Sequence, residues 1–257
     1  MATYLDRIIA EHRAAAAADT RSTELLRDEA MAMPAARGFG AALRADGLSV
    51  ISEVKRRSPS KGDLFADLDP AELARQYAAG GAACLSVLTD EDNFGGSADD
   101  LRAARGAVEL PVIRKDFTVH VHDVYDARRM GADAVLLIVA ALDDAELRDF
   151  HAAADEVGLD VLVETHDEAE VERALAVGAT IVGVNQRDLV TFQVDHARAL
   201  RVAAAIPADV VRVAESGVRG VEDAASLRGA GYDAVLVGET LVTSGDPEAA
   251  VRDLRSV

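Results

Sequence analysis

The chain has 257 residues, half of them apolar, and carries 27 basic against 45 acidic side chains for a formal charge of −18. Such a surface repels phosphate backbones and anionic lipid, so neither nucleic acid nor a membrane is an expected partner, and no apolar run approaches the roughly 18 residues that span a bilayer. With Cys84 as the only cysteine no internal disulfide can form, and a reducing, cytoplasmic setting is expected, the thiol itself being buried and inert.

Along the chain, the segment from Met1 to Ala18 mixes Asp6, Arg7, Glu11 and Arg13 with Leu5, Ile8 and Ile9, which suits an amphipathic helix and neither a signal nor a transit peptide. Residues 1–47 as a whole read as a helical extension that packs on the rest as a lid or plug. From residue 48 two phrases alternate. One comprises Leu48-Ser-Val-Ile51, Leu110-Pro-Val-Ile113, Leu159-Asp-Val-Leu162 and, more loosely, Ala208-Asp-Val-Val211. The other opens on glycine, at Gly81, Gly131, Gly178 and Gly231, and runs on into β-branched and aliphatic residues. Both are short and nearly continuously apolar, as strands buried on two faces must be. Amphipathic helices are expected between them, for example at Ala71 to Ala79, Val121 to Arg129, Asp143 to Val157, Asp167 to Ala176, His196 to Ile206 and Val221 to Ala230. Eight such strands alternating with helices predict an α/β fold, a (β/α)8 TIM barrel occupying 1–257 as one domain, with the helical extension added in front. An open doubly wound sheet is the competitor, but no Gly-x-Gly-x-x-Gly follows any predicted strand.

Side chains alternate along a strand, which predicts an inward row of Ile51, Glu53 and Lys55 on the first strand, Ile113 and Lys115 on the third, Leu162 and Glu164 on the fifth, and Val213 and Glu215 on the seventh. Each odd strand thus ends in an inward charge at its carboxyl end, the end where barrels of this kind place chemistry, and Asn185 ends the sixth strand in the same layer. A ring of mutual ion pairs without function is the competing reading. The chain's three lysines, Lys55, Lys61 and Lys115, all fall at the ends of the first and third strands, whereas arginine serves everywhere else. Arginine does not release its proton near neutrality and lysine does when its pKa is lowered, so proton transfer or Schiff-base chemistry is expected there.

Glu215-Ser-Gly-Val after the seventh strand and Val237-Gly-Glu-Thr after the eighth place Gly217 and Gly238 where backbone N–H groups approach an anion, the recurrent phosphate cradle of such barrels. Arg57-Ser-Pro-Ser-Lys-Gly62 reads as a polar turn in which Ser58 can reach an oxyanion and Lys61 can swing over the site. His120-Val-His122-Asp123 invites a metal reading, yet it sits at a predicted helix start without a third convergent ligand; no metal and no cofactor are expected.

Taken as strings, Ile51-Ser-Glu-Val-Lys-Arg-Arg-Ser-Pro-Ser-Lys-Gly62, Leu85-Ser-Val-Leu-Thr-Asp-Glu-Asp-Asn-Phe-Gly-Gly-Ser97, Leu110-Pro-Val-Ile-Arg-Lys-Asp-Phe117, Leu162-Val-Glu-Thr-His166, Gly183-Val-Asn-Gln-Arg-Asp-Leu189 and Ala214-Glu-Ser-Gly217 resemble, in order and spacing, the motifs of indole-3-glycerol-phosphate synthases. The resemblance implies a carboxy-lyase that converts 1-(2-carboxyphenylamino)-1-deoxyribulose 5-phosphate to indole-3-glycerol phosphate in tryptophan biosynthesis. It implies Lys115 as the acid of ring closure, Glu164 as a proton donor in dehydration, and Glu53 with Lys55 as the remaining acid/base pair. Asn185 and Glu215 would orient hydroxyls and lysines, and Arg187 would hold the substrate carboxylate. Ser216, Gly217, Gly238 and Glu239 would hold phosphate, and Phe94, Phe117 and Leu189 would wall the aromatic ring. Glu239 replaces a small hydroxyl residue usual in the family, so only its backbone N–H is carried over; Ser52 and Arg57 stand where smaller apolar residues are usual.

The expected partner is a phosphorylated small molecule, and the expected state a monomer or at most a weakly associating homo-oligomer. Three rival readings remain at this point: a phosphoribosylanthranilate isomerase, which would want a cysteine at the mouth; a lysine Schiff-base aldolase; and a non-catalytic phosphate-binding barrel.

Overall fold

A computed structural model describes residues 3–58, 61–65, 67–188 and 190–257. Gly81, Gly131, Gly178 and Gly231, which open the recurrent phrase, all adopt φ between 84° and 96°. A residue without a Cβ enters that left-handed region freely, so each glycine ends a helix and turns the chain into the apolar run that follows. Those runs, and the phrases between them, are strands: β1 Ser49–Val54, β2 Cys84–Leu88, β3 Val112–Lys115, β4 Ala134–Ile138, β5 Asp160–Thr165, β6 Ile181–Asn185, β7 Val211–Glu215 and β8 Ala234–Val237. Each pairs in parallel with its sequence neighbours, and β8 returns to β1 in the register Ser49↔Ala234 to Ser52↔Val237. The closed barrel bears out the (β/α)8 expectation and excludes an open sheet.

Three helices precede the barrel, α1 Tyr4–Ala18, α2 Thr23–Met31 and α3 Phe39–Leu43. Those around and after it are α4 Pro70–Gly80, α5 Glu91–Phe94, α6 Ala98–Ala107, α7 Val121–Met130, α8 Asp144–Glu156, α9 Glu168–Ala176, α10 Arg198–Val202, α11 Val221–Gly229, α12 Glu239–Val242 and α13 Pro247–Leu254. None of these is long and apolar enough to cross a membrane. Their starts follow from local polar chemistry. Asp69 accepts from the N–H groups of Ala71 and Glu72 ahead of α4, with Pro70 supplying a fixed φ in the first turn, and Asp143 and Glu146 cap α8 reciprocally. At α7 the His120 ring accepts from the His122 N–H while Asp123 accepts from the His120 N–H. The His122 ring is engaged as well, 2.8 Å from Asp19 on one side and 2.8 Å from Thr23 on the other.

Two segments differ from expectation. The helix expected at His196 to Ile206 breaks into α10 and a 3-10 turn at Ala203–Ala205, because Ala197 offers no capping side chain and Pro207 follows at once. The turn expected over 57–62 is a small antiparallel hairpin in which Arg57↔Asp63 and Ser58↔Gly62 pair.

Alternation holds throughout. Ile51, Cys84, Ile113, Leu162, Val213 and Leu236 fill the barrel interior, whereas Val50, Val54, Leu85, Val161 and Val182 face the surrounding helices. Phe39 and Leu43 of α3 complete the interior cluster from the amino end of the strands, so α3 is the plug. Cys84 lies in that cluster, fully buried, with burial pushing its thiol far up from the ordinary range; it stands at the amino end of β2, away from the mouth that an isomerase cysteine would need. The other part of the extension goes to the opposite end. Tyr4, Leu5 and Ile8 of α1 face the cavity at the carboxyl ends of the strands. That helix is tied down by the Tyr4 hydroxyl donating to Asn93 at 3.0 Å, the Tyr4 ring edge-on to Phe192, Arg13 gripping Glu146 through both terminal nitrogens, and the His12 Nε2 at 3.2 Å from Asp90.

The His12 tie is testable. Its pKa is raised by the hydrogen bond to Asp90 and the charge of Asp116, against some burial, so the imidazolium form secures α1 at low pH and the contribution fades as pH climbs through the raised value. His12→Ala is expected to cost about 1 kcal/mol of α1 docking, a charged hydrogen bond discounted for partial exposure, which speeds local opening about fivefold. Hydrogen-exchange protection over residues 4–18 should drop by that factor at acidic pH, with a gap to wild type that narrows as pH rises. A gap of constant size would show that the imidazolium is not the tie.

Candidate active site

Six polar side chains converge at the carboxyl ends of the strands, each put there by the two-residue period of the strand that carries it. Lys115 from β3 has its Nζ 3.1 Å from Glu164 Oε2 on β5 and 3.5 Å from Glu215 Oε2 on β7. Lys55, one residue past β1, pairs with Glu53. Asn185 at the end of β6 donates from Nδ2 to Glu164 Oε1 at 2.9 Å, and its Oδ1 accepts the Arg187 N–H at 3.0 Å. Glu164 and Glu215 are 1% exposed and Glu53 is 4% exposed. All six line one cavity of about 360 Å³, the size of a pocket for a drug-like molecule.

Three buried carboxyls share two ammonium groups, so full ionisation would leave a net negative charge in a nearly dry site. Lys115 loses solvation by burial, but the fields of Glu164, Glu215 and Glu53 outweigh that loss and hold its pKa above the ordinary lysine range. This corrects the expectation of a lysine with a lowered pKa: Lys115 is firmly protonated. Glu164 lies below its ordinary value, because the Lys115 and His166 charges and the Asn185 hydrogen bond overcome the cost of burial. Burial and the neighbouring Glu164 charge push Glu215 up to about 8. Its Oε1 has no hydrogen-bond partner among the described residues. Gly183 makes this carboxyl possible, since a Cβ at that position would stand 2.1 Å from Glu215 Oε1.

The candidate anion site lies beside the cluster. Ser216 and Gly217 adopt φ of 65° and 75°, and a Cβ on Gly217 would meet Val194 at 2.5 Å. A Cβ on Gly238 would meet Glu53 Oε1 at 2.2 Å, so this glycine seats a site carboxylate as well as shaping a turn. The Glu239 side chain pairs with Lys61, which brings the first loop over the mouth. Ser58 is buried at the cavity wall with an Oγ that finds no partner among the described residues. Phe94 and Phe117 stand 6.4 Å apart between ring centroids, and Arg187 faces the cavity while donating to the Phe192 carbonyl at 3.2 Å. Leu189 lies outside the described residues.

Sequence reasoning missed three contributions. Tyr4, Leu5 and Ile8 of α1 roof the cavity, and nothing in an amphipathic pattern names the surface it covers. His166, directly after β5, stands next to Glu164, a placement that its spacing of two residues from Glu164 signalled. His12, Asp90 and Asp116 bring their ligand atoms within 4.8 Å of one another, although His12 is already held by Asp90, and Asp116 by Arg114 at 2.9 Å.

The family profile described as indole-3-glycerol phosphate synthase matches residues 5–254. Proteins bearing that name resemble this chain closely. That of Mycolicibacterium vanbaalenii is 51% identical over 255 residues, covering 98% of this chain and 94% of the relative. That of Nocardioides sp. is 59% identical over 214 residues, covering 83% and 82%. Indole-3-glycerol phosphate synthase 1 of Streptomyces coelicolor is 55% identical over 231 residues, covering 90% and 86%. Among solved structures, a 3-hexulose-6-phosphate synthase superposes with a TM-score of 0.65 at 19% identity, covering 81% of this chain and 99% of that one. A thiamine phosphate pyrophosphorylase from Pyrococcus furiosus superposes with a TM-score of 0.61 at 17% identity, covering 83% and 96%. These two likenesses speak to the barrel alone.

The protonated state of Glu215 has a consequence for stability. A carboxyl raised to about 8 in the folded chain keeps a proton that the unfolded chain has already released, so its contribution is full below the ordinary carboxyl range and is lost as pH rises through 8. Wild type should therefore lose thermal stability between about pH 6 and about pH 9 more steeply than Glu215→Gln, whose amide is neutral throughout. Melting curves that run parallel over this interval would place the surplus proton elsewhere.

Proposed function

This chain belongs to the indole-3-glycerol phosphate synthase family, and we propose how the cluster at its barrel mouth carries the family's reaction. That reaction is a carboxy-lyase step of tryptophan biosynthesis on a phosphorylated small molecule. The substrate, 1-(2-carboxyphenylamino)-1-deoxyribulose 5-phosphate, closes a ring and loses carbon dioxide and water to give indole-3-glycerol phosphate. The observation that carries the assignment of roles is the position of Lys115, a protonated amine 3.1 Å and 3.5 Å from two carboxyls in the depth of the cavity.

The aromatic carbon bearing the carboxylate attacks the ketone carbon while Lys115 gives its proton to the ketone oxygen. Carbon dioxide then departs, and the electron pair it leaves behind restores the benzene ring. Glu164 gives a proton to the new hydroxyl, which leaves as water with assistance from the nitrogen lone pair. Glu53 with Lys55 takes the proton from the methylene next to nitrogen and completes the indole. Asn185 holds Glu164 in place, and Glu215 shares Lys115 and orients the substrate hydroxyls. Every step is a proton transfer or a bond change within the substrate, so the chemistry calls for no cofactor and no metal.

Binding follows the same layout. Arg187 holds the carboxylate until it is lost, and Ser58 offers to an oxyanion a hydroxyl that has no partner among the described residues. Backbone N–H groups at Ser216, Gly217, Gly238 and Glu239 take the phosphate. Phe94 and Phe117 flank the aromatic ring. We place the working enzyme in the cytoplasm as a monomer or at most a weak homo-oligomer.

Indole fluorescence provides the test. Wild type should generate the product signal from the carboxyphenylamino substrate, and Lys115→Ala should lower kcat by about 10²- to 10⁴-fold, the range for removing a positioned acid. A correctly folded wild type that gives no signal would make the chain a binder, and an unimpaired Lys115→Ala would remove the lysine from ring closure.

A further inference from the structure

Among the described residues, two cationic side chains come within 4.0 Å of the Glu164 carboxylate, Lys115 and His166. His166 follows β5 directly, two residues after Glu164 and so on the same side of the chain. Its ring is locked by Glu170 on α9, whose Oε2 lies 3.0 Å from Nδ1 and also accepts the His166 N–H at 2.8 Å. An ionised carboxylate only accepts, so Nδ1 carries hydrogen and any further proton on the ring must sit on Nε2. That nitrogen is buried, has no hydrogen-bond partner among the described residues, and stands 3.8 Å from Glu164 Oε1. A fully satisfied structural histidine would not leave it so.

We propose that His166 supplies the proton that Glu164 delivers to the departing hydroxyl. The proposal rests on the role given to Glu164 above and answers a difficulty in it. Glu164 is held ionised chiefly by the Lys115 charge once burial is overcome, and a carboxylate cannot act as an acid. Lys115 spends its proton on the ketone oxygen, and Asn185 has none to release. Of the described cationic groups within 4.0 Å of the Glu164 carboxylate, the imidazolium is then the remaining source. The charges facing His166 are Glu164 on its own strand, Glu170 on α9 and Arg198 on α10; burial and Arg198 disfavour the imidazolium, while Glu170 and Glu164 prevail and raise its pKa.

The order of events balances. Once Lys115 has become neutral, Glu164 loses its principal counter-charge and its proton affinity rises. Nε2–H passes its proton to Glu164 Oε1, leaving neutral imidazole with hydrogen on Nδ1. Glu164 then protonates the hydroxyl oxygen, the carbon–oxygen bond breaks with its electron pair on oxygen, water leaves, and Glu164 is a carboxylate again. After product release the proton taken by Glu53 with Lys55 makes good the one spent by Lys115, and the imidazole regains a proton from solvent. Turnover as a whole takes up one proton, because an anionic carboxylate departs as neutral carbon dioxide, so a refillable donor is required by stoichiometry. His166 is not among the residues that line the cavity and acts through Glu164; it is a positioning residue for this proton.

The test is acid-quenched turnover analysed by mass spectrometry, with kcat and KM measured alongside. His166→Asn keeps an amide near Nδ1 for Glu170 but has no proton to give. It should lower kcat about tenfold, a modest share of general-acid catalysis, with KM unchanged and with a species heavier than product by one water accumulating. In His166→Ala, added imidazole should restore kcat and clear that species. Unchanged kcat overturns the proposal, as does a fall in kcat without the hydrated species. Should His166→Asn fold poorly by melting temperature, Glu170→Gln is the second variant and should show the same accumulation, weaker in degree; its absence there also overturns the proposal. Glu164→Gln separates the two layers: it should accumulate the hydrated species whatever His166 does, and its failure to do so would refute the role of Glu164 itself.

Discussion

An ammonium group stripped of most of its water and surrounded by carboxyls is the constraint around which the barrel mouth is built. Lys115 is stable there because Glu164 and Glu215 lie within 3.5 Å, and those carboxyls tolerate burial because Lys115 is charged. Removing the lysine would strand like charges in a place of low dielectric, which is a larger penalty than the loss of one favourable pair. The packing accommodates the same constraint. Gly183 on β6 gives way to Glu215 on β7, and Gly238 after β8 gives way to Glu53 on β1. Small residues associated with even strands thus make room for charged residues on odd strands, the alternation of large and small that any filled barrel needs, here turned to seating ionisable groups.

A cluster of this kind works only if water is kept out while protons move, and the helices ahead of β1 serve that need from both ends. At the amino ends of the strands Phe39 and Leu43 close the interior, so the charged layer rests on a dry apolar floor. At the carboxyl ends Tyr4, Leu5 and Ile8 lie over the cavity, and α1 is fastened through Asp90 and Asn93 at α5, Glu146 on α8 and Phe192 after β6.

Most of the fold was legible in the sequence because two periods, two residues in strands and about 3.6 in helices, determine which side chains can share a face. That is why Glu53, Lys115, Glu164, Asn185 and Glu215 were assigned inward from spacing alone and are found inward. Spacing carries no information about docking: the pattern of α1 identified an apolar stripe without its destination, and the pairing of Lys61 with Glu239 joins residues 178 positions apart. It carries none about field either. A lone lysine in a pocket would have a depressed pKa, and the opposite outcome at Lys115 depends on how many carboxyls turn toward it, a property of the closed barrel and not of any one strand. The short α10 and the hairpin at Arg57–Ser58 were missed for a simpler reason, since caps and turns are decided by single residues that periodicity averages away.

A chain with a formal charge of −18 is an unpromising host for a substrate bearing both a phosphate and a carboxylate. The difficulty lessens with distance, because charges beyond about 8–10 Å are largely screened at physiological ionic strength. What an arriving anion meets is therefore the mouth, and there the acidic excess of the chain nearly disappears: all three lysines line the cavity together with Arg187 and Arg219, five basic groups against six carboxyls. Glu239 would spoil this, being a carboxylate at the edge of the proposed phosphate cradle, were it not paired with Lys61. The pair removes one repulsive charge without placing a rigid cation against the phosphate, which leaves the anion to neutral backbone donors that bind it without depending on the protonation of any side chain. Segregating lysine to this one place, on a surface that is otherwise acidic, thus serves attraction at the mouth and proton supply beneath it with the same few residues.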